Sequence, residues 1–210
     1  MQRTDEWFEL RAGRFTGSEI HKLMGIKGLG EMGKTYAFEK AIEIAYGRNN
    51  SDSYTSFDME NGIELEHVAF ELFKSMSFET VQECSFFTYG QNLGASPDGV
   101  VGLDKVLEIK CFKPNKSKNE LTKNMFFNIV ANGEKSIPVK HILQMQTQML
   151  VTNSNGCYYF IYIEYNGAPM WHEILIEADK VKQDLILERV EEAVKIRDEY
   201  VQILLNNKQF

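Results

Sequence analysis

Residues 96–110 read SPDGVVGLDKVLEIK, and the reading of the chain starts there. Pro97 and Gly99 bracket Asp98 in a Pro-Asp-Gly turn, because proline presets one backbone angle and glycine accepts conformations closed to other residues. The run from Val106 to Cys111, VLEIKC, reads as a strand. Side chains of a strand alternate between its faces, so Glu108 and Lys110 share one face and Leu107 and Ile109 take the other, towards a core. An acid and an amine on an apolar strand are costly to bury without partners. A divalent cation held by Asp98 and Glu108, with Lys110 beside a reacting water, would supply those partners. Hard cations such as Mg²⁺ take oxygen ligands and keep waters for a substrate phosphate. A lysine beside them can activate or orient the water.

The pattern extends beyond this stretch. PDG…LEIK resembles the PD-(D/E)xK nuclease signature, and GASPDG…LEIKC is similar to its phage lambda exonuclease branch, the viral recombination or alkaline exonucleases. Trp7–Ser18, WFELRAGRFTGS, resembles that family's W…LR-x-G-x-x-T-x-S segment, and Gly62–Ala69, GIELEHVA, its helical G-x-x-x-E-x-x-A motif. The matches run from about Trp7 to Leu150. The resemblance implies an α/β fold with a PD-(D/E)xK, restriction-endonuclease-like core, a mixed central β-sheet flanked by helices. It points to Glu66 as a further metal carboxylate. It implies that Arg11, Thr16 and Ser18, with Arg14 alongside, hold the terminal 5′-phosphate of a DNA strand. It also implies that Ser96 contacts phosphate and that Gln144 stands near the scissile or terminal phosphate. Lys116 falls where the family has an arginine on the DNA, which keeps the charge and loses the planar fork.

The activity so implied is removal of one strand of duplex DNA, 5′ to 3′ from an end, exposing single strand for an annealing recombinase. Glu66, Asp98, Glu108 and the Ile109 carbonyl would bind two Mg²⁺ ions, with Mn²⁺ as a substitute, and Lys110 would position the attacking water. The family's ring-shaped trimer would explain how an acidic subunit stays on DNA. Two other readings share these residues: an endonuclease of restriction or structure-specific type, and a DNA-end-binding protein without catalysis.

Composition agrees with a soluble globular chain. The 210 residues are 43% hydrophobic and 25% charged, which suits one nuclease domain over 1–210. No apolar run is long enough to span a bilayer and no cationic leader opens the chain, so a bacterial or phage-infected cytoplasm is expected. Cys84, Cys111 and Cys157 make no Cys-x-x-Cys pair and read as reduced thiols without an iron–sulfur or zinc signature. The net charge of −7 sits poorly with a polyanion. Its distribution helps: residues 105–123 hold six lysines against two acids, while 173–199 hold nine acids against five bases.

Hydrophobic periodicity places the remaining elements. Thr4 or Asp5 caps a short first helix, and Thr16 or Ser18 caps a helix over 19–24. The run 25–34, GIKGLGEMGK, reads as a flexible loop whose Lys27 and Lys34 touch phosphate. A G-x-x-x-x-G-K-T match from Gly28 to Thr35 lacks the preceding buried strand that a phosphate-binding loop requires. Residues 36–46 form a helix with Phe38, Ala41, Ile42 and Ala45 inward, 48–55 a loop, and 57–76 a second helix with Glu66, Ala69, Phe70 and Phe73 on one face. Strands fall at 80–88, 93–95, 157–164 and 170–176. Residues 113–123 make a basic turn and helix start. A helix over 139–151 carries His141, Gln144 and Gln148 on one face, with Gln146 outward and His141 half-exposed. The helix over 178–205, with Val181, Leu185, Ile186, Val190, Val194, Ile196, Val201 and Leu204 as its apolar positions, is expected to cover the sheet, or in part to pack on another subunit.

Overall fold

A computed structural model of the protein describes residues 4–47, 57–113 and 124–207, and for 57–63 the backbone only. Six helices and eight strands follow one another along these segments: α1 (Asp5–Arg11), β1 (Phe15–Thr16), a 3₁₀ turn (Gly17–Leu23), α2 (Gly30–Tyr46), α3 (Phe57–Met76), β2 (Val81–Gln82), β3 (Phe87–Tyr89), β4 (Leu93–Ala95), β5 (Gly99–Val101), β6 (Lys105–Phe112), α4 (Met125–Asn132), α5 (Val139–Thr152), β7 (Gly156–Tyr165), β8 (Ala168–Glu177) and α6 (Lys180–Asn206). The expected loop over 48–55 and most of the basic turn over 113–123, Lys116 included, lie outside the described residues.

Two sheets form. The larger runs β2-β5-β6-β7-β8, antiparallel except for the parallel pair β6/β7, and so is mixed as expected. The smaller runs β1-β4-β3. The expected strand over 80–88 is therefore two short pieces in two sheets, because β2 pairs with β5 while β3 pairs with β4. The β6/β7 crossover carries α4 and α5, as a parallel connection requires. At Asn166-Gly167 both residues have positive φ, which suits a two-residue turn between twisted strands.

Both faces of the larger sheet are covered, so strand alternation sorts side chains between two cores rather than between core and water. Leu107, Ile109, Phe160 and Tyr162 meet Ala69, Phe70 and Phe73 of α3. Val106, Tyr159, Ile161 and Ile163 meet Phe126 and Ile129 of α4 and Met145 and Met149 of α5. Glu108 and Lys110 share the α5 face by the same alternation. A third core joins Phe15, Ile20 and Leu23 to Tyr36 and Ala37 of α2 and Ile186, Val190 and Ala193 of α6. Here two expectations need correction. The helix α6 packs mainly against α2, α5 and the 3₁₀ turn rather than over the larger sheet. Its inner face uses Gln183, Ala193 and Arg197, and leaves Val181 and Leu185 outside.

Helix α2 begins at Gly30, so the glycine-rich run is a short turn and a helix start rather than a long loop, and Lys34 pairs with Glu31. Its buried face is Gly33, Tyr36, Ala37, Lys40, Ala41 and Ala45. Phe38 and Ile42 lie at the rim, 37% and 38% exposed, with Phe38 edge-on to Tyr200. Ala41 and Ala45 are thus inward as expected, while Phe38 and Ile42 are displaced to the rim by the small, alanine-rich face on which α2 meets α6.

His141 is buried rather than half-exposed, its Nδ1 2.8 Å from the Tyr159 hydroxyl. Burial, helped by Lys110, Lys140 and His21, pushes its pKa down to about 4. An unfolded histidine titrates near 6.5, so between pH 6.5 and 4 the unfolded chain takes up a proton that the folded chain refuses. Stability is therefore complete above about pH 6.5 and falls as the pH drops towards 4, by up to roughly 3 kcal/mol. Urea melts of the wild type and His141→Gln at pH 7 and pH 4.5 check this. The variant should lose that part of the pH slope, and equal slopes contradict the assignment.

Candidate active site

The site forms where β5 parts from β6. Pairing between the two ends at Gly99 opposite Leu107, and β6 runs on towards Phe112. The Asp98 amide donates to the Leu107 carbonyl (2.9 Å), and the Asp98 Oδ2 accepts from the Ile109 amide (2.6 Å). The aspartate thus occupies the ladder position that β5 has vacated and satisfies a strand donor that would otherwise be left without a partner.

Glu108 is 1% exposed, and three donors hold its carboxylate. Gln144 Nε2 donates to Oε1 (2.8 Å) and Gln148 Nε2 to Oε2 (2.5 Å). The Lys110 ammonium pairs with Oε1. Gln148 Nε2 also donates to the Ser96 carbonyl (3.2 Å), which ties α5 to the turn before Asp98. Both partners are acceptors, so this amide can face only one way. That leaves Gln148 Oε1 buried without a partner among the described residues.

A cavity of about 180 Å³ opens here, and its lining includes Glu66, Asp98, Glu108, Ile109, Lys110, Gln144 and Gln148 together with Trp7, Arg11, Ser18 and Ser96. Glu66 reaches it from α3, which covers the opposite sheet face, because the missing β5 partner leaves that end of the sheet open. The Trp7 indole donates to Ser96 Oγ (2.8 Å). The Arg11 guanidinium lies 4.1 Å from the Trp7 ring centroid and 5.5 Å from that of Phe86. Burial, and then the charges of Glu108 and Glu66, hold the Asp98 carboxyl well above the ordinary carboxylate range. Burial works against the Lys110 ammonium, but Glu108, Asp98 and Glu66 outweigh it and hold its pKa above the usual lysine value.

The structure therefore brings together Glu66, Asp98, Glu108, Ile109, Lys110, Gln144, Arg11, Ser18 and Ser96. Two expected residues stand apart. Thr16 is buried with its amide and hydroxyl turned to the Tyr36 hydroxyl (3.1 and 3.3 Å), so it does not line the cavity. It occupies the N-terminal position of the 3₁₀ turn without capping it through its side chain. Arg14 donates instead to the Leu10 carbonyl (2.7 Å).

Gln148 and Trp7 were missed as site residues. The signal for Gln148 was in the chain: residues four apart on a helix share a face, so Gln144 and Gln148 meet one partner. Gln146 between them points away, but not outward as expected. It is 1% exposed, donates to the Glu177 carbonyl (2.8 Å) and accepts from the Asp179 amide (2.8 Å) where β8 gives way to α6.

A donor set of three carboxylates and a peptide carbonyl suits a hard divalent cation, and the crowding that raises Asp98 is the kind a cation relieves. In the present arrangement Lys110 and the two amides engage Glu108, and among the described residues no three acidic, histidine or cysteine side chains form a ready metal cluster. The fit is thus one of donor chemistry, completed by a carboxylate that would have to exchange the lysine for the ion.

Residues 6–155 match the family model described as the YqaJ-like viral recombinase domain. Among solved structures, the alkaline exonuclease LHK-Exo from Laribacter hongkongensis aligns at 25% identity over 97% of each chain, with a TM-score of 0.77. LHK-Exo in complex with dAMP aligns at 26% identity over 97% of each chain, with a TM-score of 0.78. A phage-related exonuclease from Haemophilus somnus 129PT shares the fold at 15% identity, covering 93% of this chain and 98% of its own, with a TM-score of 0.68. Comparison with curated proteins returned no match.

Replacing Gln148 by the similarly sized leucine leaves a buried Glu108 oxygen and the Ser96 carbonyl without their donor. The expected loss is about 1–3 kcal/mol of unfolding free energy. Denaturant titration measures it, and a variant as stable as the wild type contradicts the role given to this amide.

Proposed function

The chain belongs to the YqaJ-like viral recombinase family, and from that premise we propose that it is a metal-dependent deoxyribonuclease that degrades one strand of duplex DNA from an end, 5′ to 3′. The observation that carries this reading is that Glu66, Asp98, Glu108 and Lys110 line one cavity with Arg11, Ser18 and Ser96. The carboxylates and the lysine suit hydrolysis of a phosphodiester, and the guanidinium and hydroxyls suit a phosphate anion. The dAMP in LHK-Exo is a nucleoside monophosphate, which supports release of mononucleotides here.

Glu66, Asp98, Glu108 and the Ile109 carbonyl would hold two Mg²⁺ ions, or Mn²⁺ in their place. Bound there, the ions would supply Lewis acidity and a nucleophilic hydroxide. The protein's own groups do the positioning. Lys110 donates to the attacking water and sets its line of approach. Gln144 and Gln148 fix the Glu108 carboxylate, and Gln144, which lines the cavity, is assigned to the scissile or terminal phosphate as well. Ser96, oriented by Trp7, donates its hydroxyl to phosphate, and Ser18 does the same from the 3₁₀ turn. Arg11 supplies the planar fork that matches a terminal phosphate in two hydrogen bonds. Thr16 and Arg14, turned away from the cavity, shape the loop that carries these groups. Lys116, outside the described residues, is assigned to the DNA backbone.

Three such subunits in a ring around DNA would keep a chain of net charge −7 on its substrate. The single strand so exposed would pass to an annealing recombinase. No helix among the described residues is long and apolar enough to cross a membrane, and we place the enzyme in the bacterial or phage-infected cytoplasm.

Strand-resolved digestion tests the reading. With Mg²⁺, a linear end-labelled duplex should lose one strand from its 5′ end while a covalently closed circle stays intact. Cutting of the circle would instead make the protein an endonuclease. Chelation should abolish the reaction. Lys110→Ala should lower the rate on the order of 10²–10⁴-fold with duplex binding retained. Full activity in that variant contradicts the site.

A further inference from the structure

The loop that follows Arg11, the last residue of α1, turns at Gly13, whose φ is +71°. A Cβ there would lie 2.6 Å from the Ile44 side chain, which would have to shift, and the positive φ would strain any other residue. This one peptide is gripped from two sides. Its amide donates to Glu43 Oε2 of α2 (2.8 Å), and the Lys40 ammonium holds that carboxylate (2.7 and 2.9 Å). Its carbonyl accepts from Arg197 Nη1 of α6 (2.9 Å), a residue 184 positions away.

Arg197 is 7% exposed, packed among the apolar residues of the α6 inner face, with its guanidinium 5.8 Å from the Phe15 ring centroid. A guanidinium in such a place is costly, and an apolar side chain of similar size often serves stability as well or better. What the fork adds is geometry. While Nη1 binds the Gly13 carbonyl, Nη2 donates to Asn92 Oδ1 (2.9 Å), and Nε donates to Asp198 (2.8 Å). Gly13 and Asn92 stand just ahead of Phe15 and Leu93, where β1 and β4 begin to pair, and the Phe15 amide donates to the Asn92 carbonyl (2.8 Å). Behind Gly13 hangs Arg11, and ahead of it lies Ser18. Beyond Asn92, β4 leads to Ser96 and Asp98.

We propose that Arg197 is a positioning residue that fixes the phosphate-holding loop against the carboxylate-bearing segment, so that the Arg11 fork meets a terminal 5′-phosphate while the scissile bond lies at Asp98 and Glu108. The inference rests on the reading of Arg11 as the 5′-phosphate ligand given above. Arg197 does not line the cavity and touches no substrate. Its effect is to hold two segments at one spacing, and a displacement of about 1 Å is enough to cost a large factor in a positioned reaction.

The test compares kcat and KM on linear duplexes with 5′-phosphate and 5′-hydroxyl ends for the wild type, Arg11→Ala, Arg197→Gln, Arg197→Lys and Asn92→Ala, with the melting temperature of each. Arg197→Gln should lose roughly tenfold or more of the preference for phosphorylated ends, mainly through KM, with kcat on hydroxyl ends within about twofold of wild type. Arg197→Lys should recover part of the preference, since an ammonium reaches one of the two acceptors. Asn92→Ala leaves the buried bond to Gly13 in place and should fold. It should lose part of the preference, and it decides the matter if Arg197→Gln does not fold. If Arg11→Ala abolishes the preference while Arg197→Gln or Asn92→Ala retains it at a lowered melting temperature, Arg197 is structural only and the inference is overturned. A wild type indifferent to the end group, or an Arg11→Ala that keeps the preference, overturns the phosphate assignment, and this inference with it.

Discussion

A carboxylate buried to 1% in the middle of a sheet is the constraint on which the rest of the fold turns. Glu108 sits on a strand packed on both faces, where an unpaired charge would cost several kcal/mol. Its oxygens are met by Gln144, Gln148 and Lys110, which commits a face of α5 and a second position on β6 to the same few ångströms. Because Gln148 also holds the Ser96 carbonyl, fixing the glutamate fixes the turn that delivers Asp98. The aspartate then closes the ladder on Ile109 where β5 has left it. One buried charge thus sets the register of three elements relative to one another.

The early end of β5 has a second consequence. A sheet covered on both sides would keep α3 and α5 apart, with Glu66 on one face and Glu108 on the other. Where the ladder opens, groups from the two helices line one cavity. Burial, and then the neighbouring Glu108 and Glu66, raise the pKa of Asp98, and the protein tolerates this cost at the site while the three cores supply stability elsewhere. Charge concentrated where the ladder of a well-packed sheet opens is the pattern of a site built for a ligand rather than for packing.

Much of this was legible in the chain. The PDG turn and the VLEIKC strand state the Asp98–Glu108–Lys110 arrangement in a few residues, because a tight turn and a period of two leave little freedom. The bounds of α3 and α5 followed from apolar periodicity. What failed were judgements about which polar residues are buried. Gln146 and His141 read as surface residues, and both are inside, satisfied by Glu177, Asp179 and Tyr159. Partners that come from distant segments leave no local trace. The inner face of α2 was right at Ala41 and Ala45 and wrong at Phe38 and Ile42 for a related reason: small residues pack closely while contributing little hydrophobicity to the pattern, and the larger side chains drew the reading away. Arg197 was read as one of the bases on an acidic helix; its link to Gly13 spans 184 residues and no spacing could suggest it.

The central claim is that carboxylates from α3, the PDG turn and β6 share one cation site. Anomalous diffraction from crystals of the protein soaked in Mn²⁺ tests it most directly. The account predicts density within coordination distance of both Asp98 and Glu108, with Glu66 in its surroundings and Lys110 displaced from Glu108. A cavity that takes up no ion at Mn²⁺ concentrations supporting DNA cleavage, or an ion bound away from Asp98 and Glu108, would contradict it.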